Sequence, residues 1–298
     1  MLGHPRAPLT QLSNAEFITN KRGAIYHLDL LPGELAKTIL LVGDPDRVQM
    51  ISEKFDRVDH QASHREFCTA TGVLNGKHLS VVSTGIGVDN IDIVLNEIDA
   101  IFNIDFESRQ VKTDLTSLDF IRLGTSGCMQ ADIRVGEVVI SKYALGYDGL
   151  PFHYEGEFSD EEASLAEKLK NKVNWPTAFA DPYIVACGMP LLEQLGDLGH
   201  QGITVTANGF YGPQNRQLRL PSSRMDLLDG FKSFKHEELR VLNFEMETSG
   251  LYAMASMLGH QAITLCTLLA NRATFEFAEN PLTHVERLVD AVLNRLTR

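Results

Sequence analysis

Along this chain, short apolar runs repeatedly stop at a glycine beside a polar or charged residue, and an apolar helical pattern then begins. That alternation restricts the chain to the α/β class, where strands and helices succeed one another around a largely parallel sheet. Thr38–Val42 reads as a buried strand that runs into Gly43-Asp44-Pro45-Asp46-Arg47, with helical spacing after it at Val48, Ile51 and Phe55. Residues 67–74 and 78–83 read as two strands joined by Asn75-Gly76, a pair that accepts the positive φ a two-residue hairpin demands. The second strand ends in Ser83-Thr84-Gly85-Ile86-Gly87, ahead of an apolar helix with Ile91, Val94, Ile98 and Ile101. Residues 118–123 are expected to form a strand ending in Gly124-Thr125-Ser126-Gly127, with further strands at 137–141, 202–207 and 263–270. Ser159 is expected to cap a helix reaching Val173, because Glu162 three residues on completes a capping box. Residues 284–296 have the spacing of a closing amphipathic helix. There is no internal repeat and no Pro/Ser-rich linker, so a single domain over 23–298 after an N-terminal arm, 1–22, is the economical division. Within it, the charges of residues 103–115 (Asp105, Glu107, Arg109, Lys112, Asp114) read as an exposed hairpin or flap at the periphery.

Composition narrows the function. A net charge of −12 argues against a nucleic-acid or anionic-membrane surface, though local arginines can still gather a small anion. Cys68, Cys128, Cys187 and Cys266 are far apart, with no C-x-x-C, and are expected to be reduced core residues. No apolar run approaches a membrane span and residues 1–21 lack a signal-peptide core, so a cytoplasmic location is expected. Dinucleotide, P-loop, H-E-x-x-H and G-x-S-x-G motifs are absent, and the histidines have no metal spacing. Neither a metal nor an organic cofactor is expected.

Five segments place charge or polar groups where an apolar fold would avoid them. Asn243-Phe244-Glu245-Met246-Glu247-Thr248 ends a strand-like run in two carboxylates just before a helix. Such strand ends are where ligands sit in open α/β sheets, and a carboxylate there can hold a sugar diol. Taken alone, the same residues are a helix start decorated with acid. Gly43 to Arg47 is a strand-to-helix turn suited to an anion, or equally a capped helix with a surface arginine. Arg122, at the end of an apolar strand, is expensive to bury without an anionic partner, and Gly124 to Gly127 adds backbone and hydroxyl donors. Ser63-His64-Arg65-Glu66 begins a strand and offers another arginine, with an edge-strand charge pair as the plainer reading. Gln214 and Arg216 follow Phe210 in a Gly/Pro loop. A Gln amide can read an amide-containing ring, Phe210 can pack on it and Arg216 can hold charge developing on it.

In this order, Gly43–Arg47, Ser63–Phe67, Ser83–Gly87, Arg122–Gly127, Phe210–Arg216 and Asn243–Glu247 resemble the uridine phosphorylases of the nucleoside phosphorylase-I family. The resemblance runs from about residue 25 to the C-terminus. It implies a single-domain three-layer α/β/α fold with a mixed, twisted, partly barrel-like sheet. It implies reversible phosphorolysis of uridine to uracil and ribose 1-phosphate, with inorganic phosphate as co-substrate. On the matching positions, Gly43, Arg47, Arg122 and Thr125 would bind phosphate, with Arg65 reaching in from a neighbouring subunit. Met246 and Glu247 would hold the ribose, and His27 of a partner would close over its 5′ end. Phe210, Gln214, Arg216 and Arg272 would form the base side. Arg122, Arg216 and Glu247 would carry catalysis. A homodimer is the implied minimum, with a hexamer as the larger alternative.

The residues also leave rivals. A purine nucleoside phosphorylase would carry an aspartate near the end of the last strand, where this chain reads Leu268-Leu269-Ala270-Asn271-Arg272. A phosphate-independent nucleosidase of the same fold would not need the arginines. A nucleoside-binding protein without turnover is the rival from another class. Three features depart from the family pattern, the first being that residues 103–115 form a longer insertion than compact bacterial members show. Tyr211-Gly212-Pro213-Gln214 has Gly before Pro, and Asn90 stands where a serine would complete a monovalent-cation site with Glu66 and Ile86.

Overall fold

The computed structural model describes residues 11–298. The expected arm therefore falls partly on residues 1–10, which lie outside the described residues. In chain order the elements are β1 (Thr38–Val42), α1 (Pro45–Ser52), β2 (Arg57–His64), β3 (Phe67–Leu74), β4 (Lys77–Ser83) and α2 (Val88–Asn103). Next come β5 (Ile104–Asp105), β6 (Gln110–Val111), β7 (Asp119–Cys128), β8 (Val138–Gly146), α3 (Asp160–Lys172), β9 (Tyr183–Ala186) and α4 (Met189–Leu195). The chain ends with β10 (His200–Thr206), α5 (Met225–Ser233), β11 (Lys235–His236), β12 (Leu239–Glu245), α6 (Thr248–Met257), β13 (Gln261–Asn271), β14 (Glu276–Phe277) and α7 (Pro281–Leu296).

Five strands close on themselves. β7 pairs with β13, β13 with β8, β8 with β10, β10 with β12, and β12 returns to β7 through Asn243 opposite Cys128 and Phe244 opposite Gly127. From β7 the sheet continues outward as β1, β4, β3 and β2. The result is a barrel with a wing in one mixed sheet, with helices packed against it.

Local sequence explains the elements that set the site. β1 is buried at every position because parallel partners flank it on both sides. Asp44 accepts the Asp46 N–H at 3.0 Å and Pro45 supplies a preset first-turn φ, so α1 starts where β1 stops. At the β3–β4 hairpin both Asn75 and Gly76 take positive φ, 49° and 78°, as a type I′ turn requires. The Ser159–Glu162 capping box is reciprocal, with the Ser159 N–H donating to Glu162 at 2.8 Å. α6 is buried from Thr248 to Ala255, the behaviour of a helix enclosed on all sides.

Two sequence expectations need correction, and one strand went unread. β7 does not stop at residue 123 but continues through Gly124-Thr125-Ser126-Gly127 to Cys128, which puts Arg122 inside the strand. Glycine is there for space: a Cβ on Gly124 would collide with the Arg122 guanidinium and the Cys266 thiol. Ser63 and His64 end β2 rather than begin a strand, and Arg65, with φ of 56°, makes the turn into β3. β2 itself was invisible because it is a largely exposed edge without apolar alternation.

The segment at 103–115 is built around β5 and β6, which pair Ile104 with Val111 and Asp105 with Gln110. Arg109 ties it to the N-terminal segment, donating to the Leu12 carbonyl at 2.9 Å and lying 4.9 Å over the buried Phe17 ring. Phe17 also meets Phe106 edge-on at 4.8 Å, so residues from Leu12 to Phe17 pack onto the domain.

Candidate active site

The ends of β1, β7, β12 and β13 open into one cavity of about 730 Å³. Its lining includes Gly43, Arg47, Arg122, Thr125, Phe210, Gln214, Arg216, Met246 and Glu247, which are distant in sequence and share one space. Arg65, His27 and Arg272 are not on its wall.

At the barrel end, Arg122 is almost fully buried between two equally buried carboxylates. Its Nη2 forms a short ion pair with Glu247 Oε2, and Nη1 lies 3.5 Å from Glu245 Oε2. Burial pulls against the Arg122 charge, but Glu247 and Glu245 overcome it and hold the guanidinium proton more tightly than usual. Its Nε is buried without a hydrogen-bond partner among the described residues. Burial pushes the Glu247 carboxyl above the ordinary carboxylate range, with Arg122 opposing and Glu245 adding to it. Glu247 Oε1 accepts the Gly87 N–H at 2.8 Å. Each Glu247 oxygen still has a lone pair left for a hydroxyl donor. Glu245 faces the start of α6. It accepts the Glu247 and Thr248 N–H groups at 2.9 and 3.0 Å and the Thr206 hydroxyl at 2.6 Å. That carboxylate satisfies orphan donors of a helix N-terminus, so Glu247 is fixed by its backbone as well as its side chain.

Arg47 lies on the same wall, half-buried. Burial weakens its hold on its proton and Arg122 adds to this, while Asp44 works the other way. The Arg122 charge is near enough to weaken the hold of Arg47 on its proton, and with Thr125 on the same wall the two guanidinium groups make a pocket favourable to an anion.

At the loop end the arrangement is pre-assembled. Gly212–Gln214 is a single 3₁₀ turn, closed by Asn215 at φ of 54°. Gln214 is buried, and its side-chain oxygen accepts a short bond from Arg216 Nη1. The same Nη1 donates to the Phe210 carbonyl at 2.8 Å, and the guanidinium sits 3.8 Å over the Phe210 ring. Burial, followed by the charge of Arg272, weakens the proton affinity of Arg216. Arg272 approaches from β13 behind the turn and holds it by the backbone, bonding the Gln214 carbonyl and the Asn215 carbonyl, the latter at 3.0 Å. The Tyr147 hydroxyl donates to the Pro213 carbonyl at 3.0 Å, so the Gly-Pro order of this loop is accommodated by a buttress.

A sequence profile described as "Phosphorylase superfamily" matches residues 37–298. The chain belongs to that superfamily. A uridine phosphorylase of Thermococcus kodakarensis is 33% identical over 269 residues, covering 89% of this chain and 84% of its own. The uridine phosphorylase of Escherichia coli is 29% identical, covering 85% and 88%. Among solved structures, a Trypanosoma brucei nucleoside phosphorylase described as showing uridine phosphorylase activity superposes with a TM-score of 0.85. It is 28% identical and covers 94% of this chain and 99% of its own.

Two expected site residues of this phosphorylase chain stand apart from its cavity but near each other. Arg65 is exposed in the β2–β3 turn. The neighbouring His64 Nδ1 donates to the His27 carbonyl at 3.0 Å. Sequence reasoning missed Glu245 as the partner of Arg122, and it missed the Gly87 N–H on Glu247. Glu245 lay inside a motif already singled out for charge. The Gly87 contact, 160 residues away, left no local signal. No cluster of His, Cys, Asp and Glu suited to a metal ion occurs among the described residues. Asn90 Nδ2 donates to Glu66 Oε1 at 3.3 Å at the cavity rim. Among the described residues no helix is long and apolar enough to cross a membrane.

Proposed function

We propose that the protein is a uridine phosphorylase, a pentosyltransferase that converts uridine and phosphate reversibly to uracil and ribose 1-phosphate. The observation that carries this reading is the placing of an Arg47–Arg122 anion pocket, the Glu247 carboxylate and the Gln214–Arg216 pair on one cavity wall.

The chemistry follows from those positions. Phosphate already bears the charge of a nucleophile, so it needs positioning rather than deprotonation. Arg47, Arg122, Thr125 and the Gly43 backbone hold it beneath the sugar, with Arg65 of a neighbouring subunit completing the cage. Glu247 accepts the ribose hydroxyls on its free lone pairs, Met246 packs beside the ring, and His27 of the neighbour closes over the 5′ end. Breaking the C–N bond builds positive charge on the ribose and negative charge on the departing uracil. Arg216 stabilises the latter while Gln214 reads the ring edge and Phe210 flanks it. A positive group already immobilised by Gln214 and Phe210 stabilises that charge without reorganising. No organic cofactor or metal is called for. Since His27 and Arg65 act in trans, a homodimer is the smallest active unit, and a hexamer contains the same contacts.

The purine rival fits less well, because residues 268–272 carry no aspartate and the loop presents Gln214 and Arg216 instead. The test is release of base from uridine, thymidine and inosine with and without saturating phosphate. Phosphate-dependent release, fastest from uridine, is the expected result. Phosphate-independent release would make the protein a nucleosidase, and tight binding without release would make it a sensor.

A further inference from the structure

Glu97 projects from α2 and is mostly buried, yet it makes no contact with the cavity of its own chain. Among the described residues, its hydrogen bonds all go to one place. Its two carboxylate oxygens accept the His27 N–H at 3.1 and 3.0 Å and the Leu28 N–H at 2.9 Å, and Oε1 lies 2.6 Å from His27 Nδ1. Two consecutive backbone donors and a ring nitrogen thus converge on one carboxylate, an arrangement that fixes the backbone and the ring of His27 together. His27 O is held as well, by His64 Nδ1, and the ring is flanked edge-on by Tyr26 at 4.9 Å. So much restraint on a partly exposed histidine is unneeded for packing.

Building on the functional reading above, we propose that Glu97 is a positioning residue for the ribose site of the neighbouring subunit, setting His27 to receive the nucleoside 5′-hydroxyl. A carboxylate oxygen only accepts, so the short contact requires the proton on Nδ1. In the neutral ring the lone pair then resides on Nε2, which becomes an acceptor for a sugar O–H. The same helix begins at Gly87, whose N–H grips Glu247 in the subunit's own cavity. α2 therefore carries one contact for its own ribose site and the clamp that prepares the neighbour's. His64 joins His27 to Arg65 in the adjoining turn, so the residues offered to the neighbour are held as one unit.

The experiment compares uridine with 5′-deoxyuridine, which lacks the hydroxyl in question, in the full-length protein. For Glu97→Gln the KM for uridine should rise about tenfold, the size of one lost hydrogen bond to a well-held group. The KM for phosphate, and the KM for 5′-deoxyuridine, should change by less than about twofold. Introducing Glu97→Gln into a His27→Ala background should add nothing. A measurement on the unaltered protein stands independently of any folding defect: ¹⁵N-histidine spectra should show the neutral His27 ring protonated at Nδ1. Equal impairment on both nucleosides, or a ring protonated at Nε2, would overturn the proposal while leaving uridine phosphorolysis intact. Absence of phosphate-dependent uracil release from the unaltered protein would instead remove the functional reading, and this proposal with it.

Discussion

Arg122 stands on a central strand of a closed ring, wedged between Glu245 and Glu247 with almost no solvent exposure. Arg216, across the same cavity, stands on a loop of turns and is held by one amide oxygen, one carbonyl and one aromatic face. The first is immobilised by opposite charge on rigid elements, the second by neutral dipoles on a segment braced from behind by Arg272. The contrast separates two tasks. Anion and pentose present the same chemistry whatever the base, so that end gains from rigidity. Under the proposed function, base identity falls to a loop, which a few turn residues can reshape without disturbing the barrel.

The largest expected effect comes from breaking the rigid end. Arg122→Ala leaves two buried carboxylates facing each other, and loss of one partner of a buried pair costs about 3–5 kcal/mol. Denaturant unfolding should show that loss, and phosphate saturation of the residual activity should disappear. A phosphate curve like that of the unaltered protein would reject the assignment of Arg122 to the anion. Glu247→Gln keeps the shape but weakens the hold on ribose. It should lower kcat/KM for uridine by roughly a hundredfold, about 2.7 kcal/mol, measured under saturating phosphate. A loss confined to stability, with kinetics preserved, would count against a sugar contact.

At the adaptable end the effects are smaller and of another kind. Gln214→Ala should erode the preference for uridine over inosine by about 1–3 kcal/mol, the cost of leaving a buried polar group unmatched. Its KM for phosphate should stay put; a parallel rise in both would erase the distinction between the two ends. Smallest is Arg272→Gln, which removes the backing of the Gln214 and Asn215 carbonyls and should cost about 1 kcal/mol in kcat/KM for uridine. Thermal melting of that variant should be nearly unchanged if the loop, and not the barrel, is what it supports.

What the sequence disclosed follows the range of the forces involved. The Ser159 capping box, the Asn75-Gly76 hairpin and the start of α1 are settled by neighbours within a few residues, and they were readable. The run of β7 through Gly124 to Gly127 was not, because Gly124 makes room for Arg122 and Cys266, whereas in sequence the Gly-Thr-Ser-Gly stretch looks like a turn. In the site, residue types and order pointed to Arg122, Glu247, Gln214 and Arg216. Their mutual restraint did not show: the Gly87 N–H, the Thr206 hydroxyl and Glu97 act across long separations that leave no periodic mark.

Closure of the five-stranded ring has a consequence for how errors in assembly are handled. A one-residue slip of β7 would swing Arg122 to the opposite face and also unpair Phe244 from Gly127, opening the circle. A misregistered β7 therefore leaves the ring open and is expected to be less stable than the closed form. The wing has no such proofreading. Its last member, β2, keeps a bare margin, so mispaired or sticky copies of this polypeptide should betray themselves there first.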